Sequence, residues 1–580
     1  MDFFNVLTCV GGIALFLFGM TYMSEALKKC AGNQMKNFLM KMTSSPTRGF
    51  LVGLLVTMVI QSSTATNVMA VSFVNTGMMA LGQAIPLMIG SNLGTTVTAW
   101  LISLTSIDGA SFFIQLLKPA SFTPILAFIG IILYRFQSKE RKKDIGAILL
   151  GFAILMFGMT TMSGSMSGLS EVPEFMQLFD MLTNPFLGFL VGLALAAIMQ
   201  SSSASVGVLQ ALAVTGGITH ESVIPLLIGI NIGQVVPVML SSMGTSRDAR
   251  RTAIVDLFIN LIGGIIALPV FCVVQATGSL PILETVATPV TIAICHSGYK
   301  LCIALILLPG HNLLEKFVCA ITKGDEKEAA PASLLDKRLM ATPSLALAAA
   351  KQRVLEAINT TGQALTSTVT LLDEWAPAIA EDVHKAEEKV DWYEDEIEAY
   401  LAKLSTRSMT AAESQELSNQ LHIISDYENI SDHIYSMAVN FRRFWENNHS
   451  FSDIAKEELR DLFATTAKLL DYADESFRTE NPKLAFRMIA MKREISKKCD
   501  ACREGHLSRL KEGNCSVQEG SVFTDLLLNF ERIADHLAKQ ARMTLTQVYQ
   551  SKRSAAKGLL NVLLDDATIN EEALNNLLRR

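Results

Sequence analysis

The chain has 580 residues, a formal net charge of −6, 50% hydrophobic residues and a mean hydropathy of +0.33, which excludes an ordinary soluble protein. The average conceals a division: Lys and Arg are absent from Gly49 to Leu117 and again from Asp144 to Ser246, whereas the chain beyond His311 is charged throughout. The first half therefore reads as membrane and the second as soluble. The net charge belongs mostly to the tail, and no nucleic-acid partner is expected.

The start, Met1-Asp2-Phe3-Phe4, lacks a basic segment, and no small-residue cleavage site follows the first apolar run, so no removable signal peptide is expected. Nine scattered cysteines, several in apolar stretches, give no disulfide framework. Seven spans are predicted, at 4–23, 80–102, 121–136, 145–163, 222–242, 252–274 and 286–309, each near the length a bilayer core demands. Two further apolar stretches, 49–77 and 188–216, are cut by the polar blocks Gln61-Ser62-Ser63-Thr64 and Gln200-Ser201-Ser202-Ser203. Irregular backbone at membrane depth must be buried in protein or line a wet cavity, so each stretch is predicted to be a re-entrant hairpin.

Basic residues cluster in alternate loops. Lys28, Lys29, Lys36, Lys41 and Arg48 are assigned to one, Arg135, Lys139, Arg141, Lys142 and Lys143 to a second, and Arg247, Arg250 and Arg251 to a third. With the hairpins not crossing, these loops share one side, and the positive-inside rule makes that side the cytosol. The expected location is the cell inner (plasma) membrane, multi-pass, with the N-terminus outside and the C-terminal domain cytosolic.

The hairpins belong to a longer duplication at a constant offset of 139 positions. Phe18-Gly19-Met20-Thr21 recurs as Phe157-Gly158-Met159-Thr160, Gly49-Phe50-Leu51-Val52-Gly53 as Gly188-Phe189-Leu190-Val191-Gly192, and Gln61-Ser62-Ser63 as Gln200-Ser201-Ser202. Gly77, Pro86, Gly90, Asn92 and Gly94 recur as Gly216, Pro225, Gly229, Asn231 and Gly233. Three crossings separate a position from its copy, so the copies, about 5–136 and 144–275, are expected to be inverted. Inverted repeats with broken helices place a transported solute near the midplane. Helix N-termini suit an anion, hydroxyls donate to its oxygens, and Gln and Asn oxygens are hard ligands for Na⁺. Neither hairpin carries a basic residue, so an anion's charge must be balanced by helix ends and co-bound cations. The plainer reading is that these polar residues glue helices together; two QSS blocks in inverted register argue against it.

At these residues the chain resembles the type II sodium–phosphate cotransporter family, whose two QSS hairpins are each followed by Gly-x-Asn-x-Gly, here Gly90-Ser91-Asn92-Leu93-Gly94 and Gly229-Ile230-Asn231-Ile232-Gly233. The resemblance covers nearly all of 1–310. It implies that Ser62, Ser63, Ser201, Ser202 and Ser203 bind inorganic phosphate and that Gln61, Thr64, Asn92, Thr95, Gln200 and Asn231 bind Na⁺ as coupling ion. In the second copy Gln234-Val235-Val236 replaces the Thr pair seen at Thr95-Thr96, which leaves the number of Na⁺ sites open. A smaller repeat follows, Ala253-x-x-Asp256-x-x-Ile259-Asn260 and Ala293-x-x-His296-x-x-Tyr299-Lys300, where the family often shows A-x-x-H-x-x-F-N. Asp256 and Lys300 are intramembrane charges that must pair or line a path. An ion pair between them is one reading, and His296 is expected to be packed and hydrogen-bonded.

Residues 311–345 are assigned to a linker and 346–550 to a helical domain, with 551–580 a weakly helical end. The segments Asp426-Tyr427-Glu428-Asn429-Ile430-Ser431-Asp432-His433 and Asn529-Phe530-Glu531-Arg532-Ile533-Ala534-Asp535-His536 resemble the signature of PhoU proteins, bundles of two three-helix repeats that take part in phosphate signalling. Acidic residues four apart share a helix face. Glu387 with Asp391, Glu428 with Asp432, and Glu531 with Asp535 are therefore candidate ligands for a divalent or iron-type metal, against the alternative of a solvated acidic face. Glu494 is followed by Lys498, which degrades one cluster. Cys499-x-x-Cys502 with His506 is a weak zinc signal without a second CxxC. No Walker A motif or nucleophile elbow occurs, so no enzyme is expected. The fold class is all-α: a polytopic membrane protein with inverted-topology repeats and two re-entrant hairpins, then a cytosolic PhoU-like bundle. The function implied is sodium-coupled phosphate transport with a regulatory domain; phosphate export by the same core and a non-transporting sensor are the alternatives. A phosphate-signalling protein and a second copy of the chain are candidate partners beside the lipid bilayer.

Overall fold

A computed structural model describes residues 3–41, 45–104, 119–137, 139–166, 177, 181–214, 217–322, 335–513 and 515–550. Among them the chain is helical, with one isolated bridge, Thr219–Val286. It forms two compact units, Met1–Leu345 and Ala346–Arg580.

The first unit contains α1 (Phe3–Lys41), α2 (Pro46–Ile60), α3 (Ser63–Asn75), α4 (Leu81–Gly94), α5 (Thr96–Ser103), α6 (Pro119–Phe136), α7 (Glu140–Met166), α8 (Pro185–Met199), α9 (Ser202–Ala213), α10 (His220–Gly233), α11 (Val236–Ser241), α12 (Arg247–Thr277), α13 (Pro289–Leu307) and α14 (His311–Ile321). Among the described residues six stretches are long and apolar enough to cross a membrane, two of them the runs α4–α5 and α10–α11. The helix at the predicted third span, α6, is apolar but short.

The duplication in sequence is a duplication in local structure. Ser45 caps α2 and Asn184 caps α8, each followed by Pro at the first helical position, which needs no N–H there. Both helices end on a glutamine in the left-handed region, Gln61 at φ 58° and Gln200 at φ 52°. Both next helices are capped by a serine: Ser62 Oγ accepts from Ala65 N and Ser201 Oγ from Ala204 N, each at 3.2 Å. The partner helices repeat their contacts too. A Cβ on Gly90 would lie 1.9 Å from the Phe50 carbonyl oxygen, and one on Gly229 would lie 2.0 Å from that of Phe189.

Across the two copies the contacts are reciprocal. Gly19 abuts Leu155 and Gly158 abuts Phe16; Gly12 abuts Met162 and Gly151 abuts Met23. Each contact becomes its mate when 139 is added to one partner and removed from the other, the mark of a pseudo-two-fold axis. Partner numbers on α7 fall as those on α1 rise, so these equivalent helices run antiparallel. Small residues let the backbones approach, as in membrane helix pairs generally.

Two expectations need correction. The basic stretch assigned to a loop after residue 23 is helical to Lys41, because lysine is a good helix former and no proline comes before Pro46. The expected linker at 311–345 is partly folded structure: α14 packs on α4 and α12, and the turn Lys337–Ala341 packs on α3, where Asn75 Nδ2 donates to Asp336 at 3.3 Å. The end 551–580 lies outside the described residues.

Among its described residues the second unit has six α-helices, α15 (Pro343–Thr368, which begins in the first unit), α16 (Pro377–Ser405), α17 (Ala411–Glu446), α18 (Asp453–Thr479), α19 (Pro482–Lys511) and α20 (Val517–Gln550). Its signature helices α17 and α20 also meet reciprocally. His536 Nδ1 lies 2.9 Å from Asp426 Oδ1 and His433 Nδ1 lies 3.0 Å from Asn529 Oδ1, a swap at an offset of 103.

Candidate functional site

The αL glutamines let α2 and α8 stop so that α3 and α9 can start, each presenting its first N–H groups beside a QSS block. Ser63, Ser202 and Ser203 are buried there, and Ser62 and Ser201 act as caps while keeping a hydroxyl hydrogen to donate. The two blocks are joined side chain to side chain. Thr98 on α5 donates to Gln61 Oε1 at 2.7 Å, and Ser203 Oγ donates to Thr98 Oγ1 at 3.5 Å. Residues of the two QSS blocks that lie far apart in sequence thus converge on one threonine. Behind the first block Thr57 Oγ1 lies 3.0 Å from Thr66 Oγ1 and 2.9 Å from Ser91 Oγ, a buried cluster of hydroxyls.

Next to it lies a buried amide network around Asp256 and Lys300. Asp256 Oδ1 accepts from Asn67 Nδ2 at 2.9 Å and from Asn92 Nδ2 at 3.3 Å, and its carbonyl accepts from Asn260 Nδ2 at 2.8 Å. Lys300 Nζ donates to Asn92 Oδ1 at 3.1 Å. Gln234 Nε2 shares itself among Asn92 Oδ1, Asn260 Oδ1 and the Asn231 carbonyl at 3.1–3.3 Å. Asp256 and Lys300 are therefore linked through Asn92, not directly as an ion pair. The expectation for His296 also fails in part: the ring is packed, but neither nitrogen has a hydrogen-bond partner.

The other predicted ligands fall at different places. Thr95 is buried and donates to the Ser91 carbonyl at 3.2 Å. Asn231 is buried with its Oδ1 unpartnered. Thr64 is half-buried beside Ser63, and Gln200, unlike Gln61, is exposed. Sequence reasoning does not single out Asn67 or Thr98. An asparagine inside an apolar helix is a readable signal for Asn67; Thr98 gives none, since threonine is common in membrane helices.

In the second unit Glu387 and Asp391 on α16 and Asp432 on α17 bring carboxylate oxygens within 4.8 Å of one another. Burial and the neighbouring carboxylates raise the pKa of both Glu387 and Asp391. Burial first, then Asp432 and its acidic neighbours, push Glu428 up to about 7. His384 Nδ1 lies 3.3 Å from Glu387 Oε2, and the set is made of hard oxygen donors, the class that a hard cation takes. Glu531 and Asp535 do not join it: Arg503 pairs with Glu531, Lys492 lies 3.1 Å from Asp535, and Lys498 lies 3.3 Å from Glu494. Cys499 and Cys502 are buried thiols whose pKa values burial pushes up to about 12 and about 11, and His506 faces Cys515 at 3.6 Å instead.

Residues 15–164 and 169–276 match the model of the Na⁺/Pi-cotransporter family, and residues 354–440 and 459–544 match that of the PhoU domain. A proposed inorganic phosphate export protein of Escherichia coli (strain K12), YjbB, is 24% identical over 552 residues, covering 94% of this chain and 98% of its own. The sodium-dependent phosphate transport protein 2A of Rattus norvegicus is 35% identical over 98 residues, 16% of this chain and 15% of its own. Among solved structures, the phosphate transport system regulatory protein PhoU from Streptococcus pneumoniae aligns with a TM-score of 0.33 at 16% identity, covering 36% of this chain and 97% of that one.

Proposed function

The chain belongs to the Na⁺/Pi-cotransporter family and carries PhoU domains, and from that premise we propose that it carries inorganic phosphate across the inner membrane by alternating access, coupled to sodium, under control of its second unit. The observation that carries this reading is the convergence of Gln61 and Ser203 on Thr98. In an inverted-repeat transporter both hairpins must serve one site, and here both helix N-termini, with their free N–H groups, lie at its edges. Phosphate is assigned to the hydroxyls and N–H groups of Ser62, Ser63, Ser201, Ser202 and Ser203. Sodium is assigned to the oxygens of Gln61, Thr64, Asn92, Thr95, Gln200 and Asn231. The antiparallel pairing of α1 with α7 supports inversion of the repeats across the membrane. Burial of Gln61 with exposure of Gln200 supports a state closed at the first hairpin and open at the second.

The domains proposed are a membrane transport domain over 1–310 and a regulatory bundle over 346–550. The acidic trio Glu387, Asp391 and Asp432 is the proposed metal position in the bundle, with Glu428 beside it. Direction is set by gradients, and the name of the E. coli relative favours export as the second reading.

Phosphate flux into proteoliposomes, under imposed Na⁺, K⁺ and H⁺ gradients in turn, tests the proposal. Uptake driven by sodium alone is expected; equal phosphate affinity in sodium and choline buffers sinks the coupling, because linkage makes cation and phosphate affinities reciprocal. A cysteine at Lys142 should resist an impermeant reagent from outside the cell and one at Ile282 should react, in a background lacking the native cysteines. The reverse would overturn the orientation.

A further inference from the structure

Lys300 is buried to 4% exposure on the apolar helix α13, and the transport scheme gives it no task. Its contact is specific: Nζ lies 3.1 Å from Asn92 Oδ1, a neutral amide oxygen of the kind a dehydrated cation seeks. The pseudo-two-fold supplies a control. Asn231 is the repeat mate of Asn92. The two hold their amide nitrogens alike, Asn92 Nδ2 on the Met88 carbonyl at 3.3 Å and Asn231 Nδ2 on the Leu227 carbonyl at 2.8 Å. Their oxygens differ. Asn92 Oδ1 accepts from Lys300 and Gln234, whereas Asn231 Oδ1 is buried with no partner. A buried, unpartnered carbonyl oxygen costs free energy unless something fills the place. A carboxyl group lies across Asn92 from Lys300, since the Asn92 amide also donates to Asp256 at 3.3 Å. In the smaller repeat the position of Lys300 is held by a neutral residue, Asn260.

We propose that Lys300 is a tethered cation: its ammonium fills one of two repeat-related cation positions, leaving the Asn231 oxygen for a dissociable ion. This rests on the transport reading and revises it at one residue, since the Asn92 oxygen would hold Lys300 and not sodium; the chain would then move phosphate with one fewer free sodium than its duplicated scaffold accommodates. Asp256, reached through Asn92, balances the fixed charge when the site is empty. Lysine suits this task as a compact point charge on a flexible stem.

The test replaces Lys300 by the residue of its repeat mate, K300N, with K300R as the charge-keeping control, in the full-length protein. In proteoliposomes the ²²Na to ³²P flux ratio of K300N should rise by about one ion, while K300R should keep the wild-type ratio; about one ion is what losing one monovalent charge requires under linkage. A wild-type ratio in K300N overturns the proposal. K300N leaves Asp256 without its cation, so thermal unfolding provides a second readout. The melting temperature in sodium against choline should rise more for K300N than for wild type, as free sodium takes the vacated place. Equal instability in both salts overturns the proposal without any transport measurement. Failure of the wild-type protein to bind or move phosphate would instead sink the transport reading, with the sodium-dependent melting of K300N still deciding the lysine.

Discussion

Each unit of this protein contains two copies of one backbone, and in each unit only one copy keeps the full polar chemistry. In the membrane unit the first copy has the buried hydroxyl cluster Thr57, Thr66 and Ser91; at the same offset the second has Ala196, Ser205 and Ile230, and Ser205 bonds back to the Ser201 carbonyl at 2.8 Å. Gln61 is held by Thr98, whereas the mate of Thr98 is Pro237 and Gln200 is exposed. In the second unit the carboxylates of the first copy crowd together, and those of the second are neutralised by Arg503, Lys492 and Lys498. The scaffold is thus fixed by glycines, caps and helix-packing contacts that both copies must satisfy. The polar groups are free to diverge once one copy supplies the chemistry.

The asparagines break this symmetry hardest. N92A removes the group that joins Asp256 to Lys300 and leaves two buried charges without their shared partner, so it should destabilise the membrane unit by about 3–5 kcal/mol. N231A removes one bond to a helix carbonyl and should cost about 1 kcal/mol. Thermal unfolding in detergent measures both. Equal losses would mean that the two positions have not diverged.

Glycines test the opposite half of the comparison, where the copies should agree. A methyl group on Gly90 or Gly229 meets backbone, which cannot rotate away, so G90A and G229A should each cost about 1–3 kcal/mol and by similar amounts. A harmless G229A beside a damaging G90A would show that the second copy packs loosely.

These two tests separate what is legible in the sequence from what is not. Glycines, capping residues and the QSS breaks announce themselves, because a polar tripeptide in an apolar run has few reasons to exist and a fixed offset of 139 cannot come from composition. The αL turn follows, since a helix must end for the next to begin. Which polar residue touches which is not legible. Asn67 reaches Asp256 across 189 positions, and Thr98 links two QSS blocks without lying in either. Single residues in apolar helices carry no periodicity that reveals a partner. The basic run to Lys41 reads as a loop but folds as helix, because charge marks the membrane boundary and not the helix boundary. His311–Ile321 merges with the linker in sequence because the Pro- and charge-rich stretch after it dominates the local composition.

The glutamines should show a smaller, functional difference. Q61A removes a buried acceptor from Thr98 and should weaken sodium-dependent phosphate binding about tenfold to a hundredfold, the equivalent of about 1.5–3 kcal/mol. Q200A should leave stability within about 0.5 kcal/mol, as exposed substitutions do, while still shifting the sodium dependence if the second hairpin closes over the site during transport. A Q200A protein with a wild-type sodium dependence would remove Gln200 from the proposed sodium ligands.

The smallest effect belongs to the acidic copy of the second unit. Burial and its acidic neighbours raise Glu428 from the ordinary 4.5 to about 7, so the folded state holds a proton there that the unfolded state has released. Between those two values the folded state binds more protons than the unfolded one, and stability must fall as pH rises. The contribution is fully present below about pH 4.5 and is lost by the time pH passes about 7. Glu428 is only half-buried, and screening should hold the change below about 1 kcal/mol. E428Q should flatten this part of the unfolding profile and stabilise the unit at pH 8. E531Q should do the reverse in the other copy: it removes one of the two carboxylates that face Arg503, the other being Asp500, so it should destabilise the unit at pH 8. A divalent cation at pH 8 should stabilise the wild-type unit by binding only the folded carboxylates, and it should do so less in a D391N/D432N variant. An identical cation response in that variant would assign the effect to general screening and leave the acidic trio a solvated face.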